Sequence, residues 1–378
     1  MAEKTKTFRG HQSLIIHIGS AYVSGAVLAE SRRGLPELSQ AARVPLAAGG
    51  GATEGIQIAM QNALDEVLKK YAPLKLRRVR IVLASPWHHG RIRRVSSPSD
   101  KPISVSERTV ERVVAKYKDE APPEPGRVDL EAVAFEVKVN GYPTALASPV
   151  VGTSVKINLY ESEIDIGVKT AIDAAIARGL PGSLASFHSF PLIAATALRI
   201  AAFEDSFIFA DLGGEVTELG IMHEDGIHYL GSFPTGHLSI ARVAGSQQAD
   251  ATSRLSLYAR GELSPEEAGK MSEGLARAMK EWITSVESAL KAAAGEVPMP
   301  RALFLITDPE ALPWFMKGIE GTATFAPIPA DAALLQRLVS AGEGALFEPS
   351  LMLAAIFFHT GMSTVVGEPE LSRILQHR

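Results

Sequence analysis

The chain has 378 residues, of which 46% are hydrophobic and 21% charged, with a formal net charge of −4 and no cysteine. That length allows two or more cores, and the composition is that of a globular rather than a disordered protein. The slight acidity gives no electrostatic reason to bind nucleic acid, and the lack of cysteine excludes disulfides and thiolate chemistry and fits a reducing cytoplasm.

In chain order, Met1 to Gly10 is polar and reads as a loose tail rather than a secretion signal. Leu14-Ile-Ile-His-Ile-Gly19 and the apolar run after it read as a β-hairpin turning at Gly19. Ile56, Met60, Ala63, Leu64, Val67 and Leu68 recur at helical spacing, which predicts an amphipathic helix over Thr53 to Tyr71, followed by a strand over Val79 to Ala84. His88-His-Gly-Arg-Ile-Arg-Arg94 reads as a solvated strand edge, and its adjacent histidines point to opposite faces, which argues against a metal pair.

Ser104-Val-Ser-Glu107 has the form of a capping box, opening a helix that Ala121-Pro-Pro-Glu-Pro-Gly126 stops. Val133 to Val139 and Ser154 to Tyr160 alternate as strands around an Asn140-Gly141 turn. A helix is predicted from about Glu163 to Arg178 with Gly179 as its cap, then a strand over Leu184 to Phe190 and a helix with Pro191 in its first turn.

The first hairpin then recurs. Ile208 to Glu224 aligns without a gap on Leu14 to Glu30, with Gly213 at the place of Gly19. His223 and His228 read as exposed loop residues, and Trp87, Trp282 and Trp314 as packing residues. Ser264-Pro-Glu-Glu267 caps a helix to about Lys291, Ala302 to Ile306 is a buried strand, and Pro349 begins a last helix that packs on the first half. Two glycine turns at the starts of two halves predict a duplicated α/β fold whose turns face each other and offer backbone N–H groups to a phosphate chain.

The order His17-Ile-Gly-Ser20, Asp211-Leu-Gly-Gly214 with Thr217, and Phe233-Pro-Thr-Gly236 resembles the actin-like ATPase superfamily. With an insertion after Ala84, the chain is similar to its FtsA and PilM branch, most of all in Lys101 to Val114 and in Asn140 to Ile157 with its Pro-Val-Val-Gly run. The resemblance implies an α/β, duplicated actin-like (ribonuclease H-like) fold with an inserted α+β subdomain of SHS2 type. It places a first half at 12–84, completed by about 161–203 and 346–367. The insertion would take 85–160 and a second half 204–345, with a helical subdomain at about 239–299.

The same resemblance implies a nucleotide site at His17, Gly19, Ser20, Asp211, Gly213, Gly214, Thr217 and Gly236, with ATP and magnesium as its ligand. Four departures predict weak or absent binding. His17 stands where the family has an aspartate, and magnesium prefers oxygen. Glu215 replaces a glycine and Glu218 an aspartate, Ser253 and Ser256 replace the ribose and adenine contacts, and Thr307-Asp308-Pro309 replaces a Gly-Gly turn. Tyr258 and Arg260 are the residues left to stack or pair near the adenine place.

The chain therefore reads as a scaffold rather than an enzyme. The resemblance implies an FtsA-like adaptor for a division filament of FtsZ type. The alternatives are a PilM-like platform for a pilus membrane-protein peptide, or an active phosphotransferase or ATPase of the same fold. Self-association into an oligomer or filament belongs with the first. The expected place is cytoplasmic; Leu371, Ile374 and Leu375 beside basic residues read first as a C-terminal helix docked on the protein, with weak peripheral contact at the inner face of the cell membrane as the alternative.

Overall fold

The structure, a computed structural model, describes residues 11–31, 34–46, 53–146, 148–245, 251–293, 298–319 and 325–360. The N-terminal tail and the C-terminal segment, read as a docked helix or a membrane contact, lie outside the described residues.

The chain runs β1 (His11–Ile18), β2 (Tyr22–Glu30), β3 (Glu37–Pro45), α1 (Thr53–Tyr71), β4 (Arg78–Leu83), β5 (His89–Val105), α2 (Glu107–Glu120), β6 (Arg127–Val139), β7 (Tyr142–Pro143), β8 (Val150–Asp165), α3 (Ile166–Gly179), β9 (Leu184–Ser189) and α4 (Phe190–Ala202). It continues β10 (Phe207–Leu212), β11 (Thr217–His223), β12 (Gly226–Phe233), α5 (His237–Gly245), α6 (Ala251–Arg260), α7 (Pro265–Ala293), β13 (Ala302–Thr307), α8 (Leu312–Ile319), β14 (Ala326–Pro329), α9 (Ala332–Leu335), β15 (Ser340–Ala341) and α10 (Pro349–Thr360).

One sheet has the order β15-β3-β2-β1-β4-β9, and a second has β12-β11-β10-β13-β14. Without the two-residue β15, the two orders are the same when strands are matched by rank. The hairpins agree to the residue: His17 pairs with Ser24 in the first and Asp211 with Glu218 in the second, the positions the gapless repeat equates. The fold is thus a duplicated α/β fold. A third sheet, β5-β8-β6-β7, stands between β4 and α3 in the chain.

Three apolar clusters build the two halves. α4 and α10 fill the space between the sheets, with Phe190, Ile193, Leu353 and Ile356 against Ile15, Phe209 and Phe304. α1 and α3 cover the outer face of the first sheet, and α5 to α8 that of the second. The stripe on α1 is the one its spacing predicts, with Met60, Ala63, Leu64, Val67 and Leu68 all buried; each large apolar side chain there contributes roughly 1.5–3 kcal/mol. Val105, Val110, Val114, Val155 and Ile157 give the third sheet a core of its own.

Several local expectations are corrected. Ser104 belongs to β5, so the capping box it was expected to open does not form; Ser106 is the N-cap of α2 and its hydroxyl lies 3.3 Å from that of Thr109. β8 continues to Asp165 before α3 begins, because its ladder with β5 and β6 outlasts the alternation. Gly179 is inside α3 rather than beyond it. A Cβ there would stand 2.9 Å from Leu68 Cβ, so the glycine allows α1 and α3 to approach. His88 is buried, not solvated, and His223 and His228 are partly buried in strands with their rings 5.2 Å apart. The box at Ser264 does form, its hydroxyl 2.6 Å from the Glu267 carboxylate.

Candidate functional site: the cleft between the two hairpins

The sequence repeat brings two tight turns face to face. Each is braced from below by a tryptophan: Trp87 Nε1 donates to the Gly19 carbonyl at 2.8 Å, and Trp282 Nε1 to Thr217 Oγ1 at 3.0 Å. His17, Gly19, Ser20, Asp211, Gly213 and Gly214 line one cavity between the turns, as the repeat predicts. Thr217 and Gly236 do not reach it. Thr217 is buried and donates to the Thr235 carbonyl at 2.5 Å. Gly236 packs beneath the second turn, where a Cβ would collide with the carbonyl oxygens of Gly213 and Gly214. Those carbonyls accept from the N–H groups of His237 and Leu238 at 2.9 Å, so the start of α5 spends its donors on the chain itself.

The cavity is only about 20 Å³, enough for a water molecule. The turns are in contact: the Glu215 N–H donates to Ser20 Oγ at 3.2 Å, and a Cβ on Gly214 would stand 2.8 Å from that of Ala21. Glu215 points outward, not at the phosphate place. Its carboxylate binds Arg242 and accepts from Ser239 Oγ at 2.9 Å; burial works against its ionisation, but these hydrogen bonds outweigh it and hold its pKa down.

Across the mouth runs a pair that sequence reasoning missed. Arg43 on β3 binds both carboxylate oxygens of Asp308, which follows β13 in the other half, and its guanidinium stacks 3.8 Å above the Tyr22 ring. Burial opposes ionisation of Asp308, yet the Arg43 hydrogen bond and charge prevail and keep its pKa low. Glu348, just before α10, is buried nearby, and burial raises its pKa. Asp308 stands in the sequence where the adenine turn was expected, but nothing local marks Arg43 as its partner 265 residues away.

His17 is buried edge-on to Phe190, 5.2 Å between ring centroids, and neither ring nitrogen has a hydrogen-bond partner among the described residues. Burial, then the Arg43 charge, lowers its pKa to about 3, so the ring is neutral at physiological pH. Burial and the neighbouring Glu218 raise the Asp211 carboxyl well above its usual range. Ser253 is exposed, Arg260 pairs with Glu262, and the Tyr258 ring carries Lys317 at 4.0 Å, so none is poised over the cleft.

ATP with magnesium does not fit this arrangement. The phosphate gap is closed by Ser20 and Glu215, the adenine side is crossed by Arg43 and Asp308, and the residue in place of the metal-positioning aspartate is a neutral imidazole. Among the described residues no group of three or more His, Cys, Asp or Glu is placed to hold a metal ion, and no helix is long and apolar enough to cross a membrane.

No protein-family model and no curated protein matches the chain. Solved structures do. One described as the PilM–PilN type IV pilus biogenesis complex is 16% identical, covers 93% of this chain and 98% of its own, and superposes with a TM-score of 0.62. The ethanolamine utilization protein EutJ from Carboxydothermus hydrogenoformans is 12% identical over 92% of this chain and 89% of its own, with a TM-score of 0.45. A Bacteroides thetaiotaomicron protein described as having an actin-like ATPase fold and unknown function is 11% identical over 94% and 98%, with a TM-score of 0.39. At such identities likeness extends to fold alone: the chain has the duplicated actin-like ATPase fold, with the cleft between its halves closed by its own side chains.

Proposed function

We propose that this chain is a PilM-like platform, a non-hydrolysing member of the actin-like fold that holds a short peptide of a pilus membrane protein. The observation that carries the reading is the direct contact of the two turns, Ser20 Oγ to the Glu215 N–H at 3.2 Å, which leaves partner binding as the use of the fold. The whole-chain likeness to the PilM–PilN complex supports this partner class over a division filament. The cleft gives no foothold to phosphoryl transfer, which needs a bound metal and positioned phosphates.

The test is disruption of the gene in its host, scored for surface pili and for cell length. Loss of pili with normal division is the expected result. Filamentous cells that keep their pili would replace this reading with the FtsA-like one. In parallel, calorimetry of the full chain with ATP and magnesium should give no micromolar binding, and steady turnover would sink the scaffold reading.

A further inference from the structure

The densest run of like charge in the chain lies outside the cleft. Lys69-Lys-Tyr-Ala-Pro-Leu-Lys-Leu-Arg-Arg-Val-Arg80 holds six basic residues and no acidic one, in a chain whose net charge is −4. Two of the six serve the fold: Lys70 Nζ donates to the Ala41 carbonyl at 2.5 Å, and Arg80 to the Glu30 carboxylate at 2.9 Å. The other four, Lys69, Lys75, Arg77 and Arg78, are exposed and meet no carboxylate among the described residues. A lysine in the last turn of α1 complements the helix dipole, but that accounts for Lys69 alone of these four. On the helices that cover this sheet, Asp65 is taken by Arg178 at 2.9 Å and Asp173 by Lys169 at 2.7 Å.

The chain turns sharply here. A single 3-10 turn over Ala72–Leu74 follows α1, Lys75 takes a left-handed φ of 52°, and β4 begins at Arg78. Arg78 stands opposite Leu184 in the first rung of the β4–β9 ladder. The Leu184 N–H donates to the Arg77 carbonyl at 2.9 Å, and Ser183 Oγ to the Leu76 carbonyl at 2.5 Å. The cations are thereby fixed beside two leucines that face solvent, Leu184 at 70% exposure and Leu74 at 37%. β4 runs parallel to β1, whose far end leads into the Gly19 turn, so this surface is at the opposite end of the first sheet from the cleft.

We propose that this end of the first half rests on an anionic membrane surface, with lipid phosphates at Lys69, Lys75, Arg77 and Arg78 and with Leu74 and Leu184 entering the headgroup layer. Each basic residue held near an anionic leaflet strengthens attachment roughly fivefold. The leucines add an apolar contribution that salt does not screen. A nucleic acid would leave the leucines in water, and Tyr71, the one aromatic residue of the run, is buried and offers no base a stacking face. Seated in this way, the chain turns its cleft away from the bilayer. The proposal is independent of the pilus reading.

Sedimentation of the full chain with vesicles tests it, using phosphatidylcholine alone and an equimolar mixture with phosphatidylglycerol. Binding to the mixed vesicles and not to phosphatidylcholine is expected, weakening as salt rises. Lys75→Glu with Arg77→Glu should lower the partition coefficient about tenfold or more. The same charge change on the exposed face of α2, Arg108→Glu with Lys116→Glu, should leave it within about twofold of the parent. Leu184→Ser should weaken binding about threefold at low and high salt alike. If dichroism shows the charge-reversed variant misfolded, Lys75→Gln with Arg77→Gln is read in its place, with the same loss expected. No preference for phosphatidylglycerol, an equal loss in the α2 control, or an unchanged partition in either the charge-reversed or the Leu184→Ser variant would overturn the proposal. Tighter binding to duplex DNA than to vesicles, abolished by the same charge reversal, would make the patch a nucleic-acid surface and overturn it as well.

Discussion

Removal of the Arg43 side chain would leave Asp308, whose side chain is 9% exposed, without its guanidinium. Breaking a buried pair from one side costs ~3–5 kcal/mol, and because Arg43 keeps 28% of its side-chain surface, the lower end of that range applies. Arg43→Ala should therefore lose ~3 kcal/mol in denaturant unfolding, whereas Arg43→Leu with Asp308→Leu should lie closer to the parent than either single change. His17 and Asp308 weaken the fold on acidification, while the raised carboxyls of Asp211 and Glu348 act in the opposite sense. His17 has a pKa of about 3 in the folded chain against 6.5 unfolded, so between those values the unfolded state binds the extra proton and stability falls as pH falls, by on the order of 5 kcal/mol in all. Asp308, with its pKa depressed, adds stability above its unfolded value near 4, lost as pH drops through the lower folded value. Between pH 7 and pH 4 the parent should lose more stability on acidification than His17→Asn, the difference between the two sets of denaturation midpoints reading the His17 contribution apart from the opposing carboxyls. His17 and Asp211 were legible because the repeat equates them. Arg43 was not, since a lone arginine in a half-buried strand has no period and no motif.

At the scale of elements, helix stripes and the paired hairpins could be read directly, because periodicity and a matched glycine are local signals. The sequence does not reveal where a helix is capped or how far a ladder runs. Ser106 caps α2 because the pairing of β5 with β8 carries Ser104 into the sheet. Gly179 was assigned to a helix end on its residue type, and its actual task is close approach to Leu68. Gly179→Ala should then destabilise the chain by ~1 kcal/mol despite the better helix propensity of alanine, because a Cβ in that contact forces α1 and α3 apart. Ser264→Ala, which removes the reciprocal cap of α7, should cost ~1 kcal/mol. Thermal melts of both variants read these effects.

For the whole molecule, the inserted sheet is joined to the rest by more than its ends. Glu131 of β6 accepts from the Ser189 N–H at 2.8 Å, and Tyr160 of β8 meets Ser189 Oγ at 2.5 Å. Val133 and Tyr160 belong to the core between the two main sheets. Replacing residues 89–165 by a glycine linker should thus lower the unfolding midpoint of the remainder markedly, and an unchanged midpoint would show that those contacts add nothing. Closure of the cleft likewise depends on several places at once. His17→Asp with Glu215→Gly should not restore ATP binding in calorimetry, since Glu215 already points away and Arg43 still crosses the mouth; adding Arg43→Ala and Asp308→Gly is needed before any nucleotide affinity returns.

The Arg43–Asp308 bridge also changes what the protein can respond to. A clamp made of a diffusible ligand is occupied according to that ligand's concentration, whereas one carried on the chain has a fixed effective concentration. The two halves should stay closed alike in growing and in starved cells, so under the platform role proposed above the chain would be blind to the cell's energy charge and would take its timing from its partner.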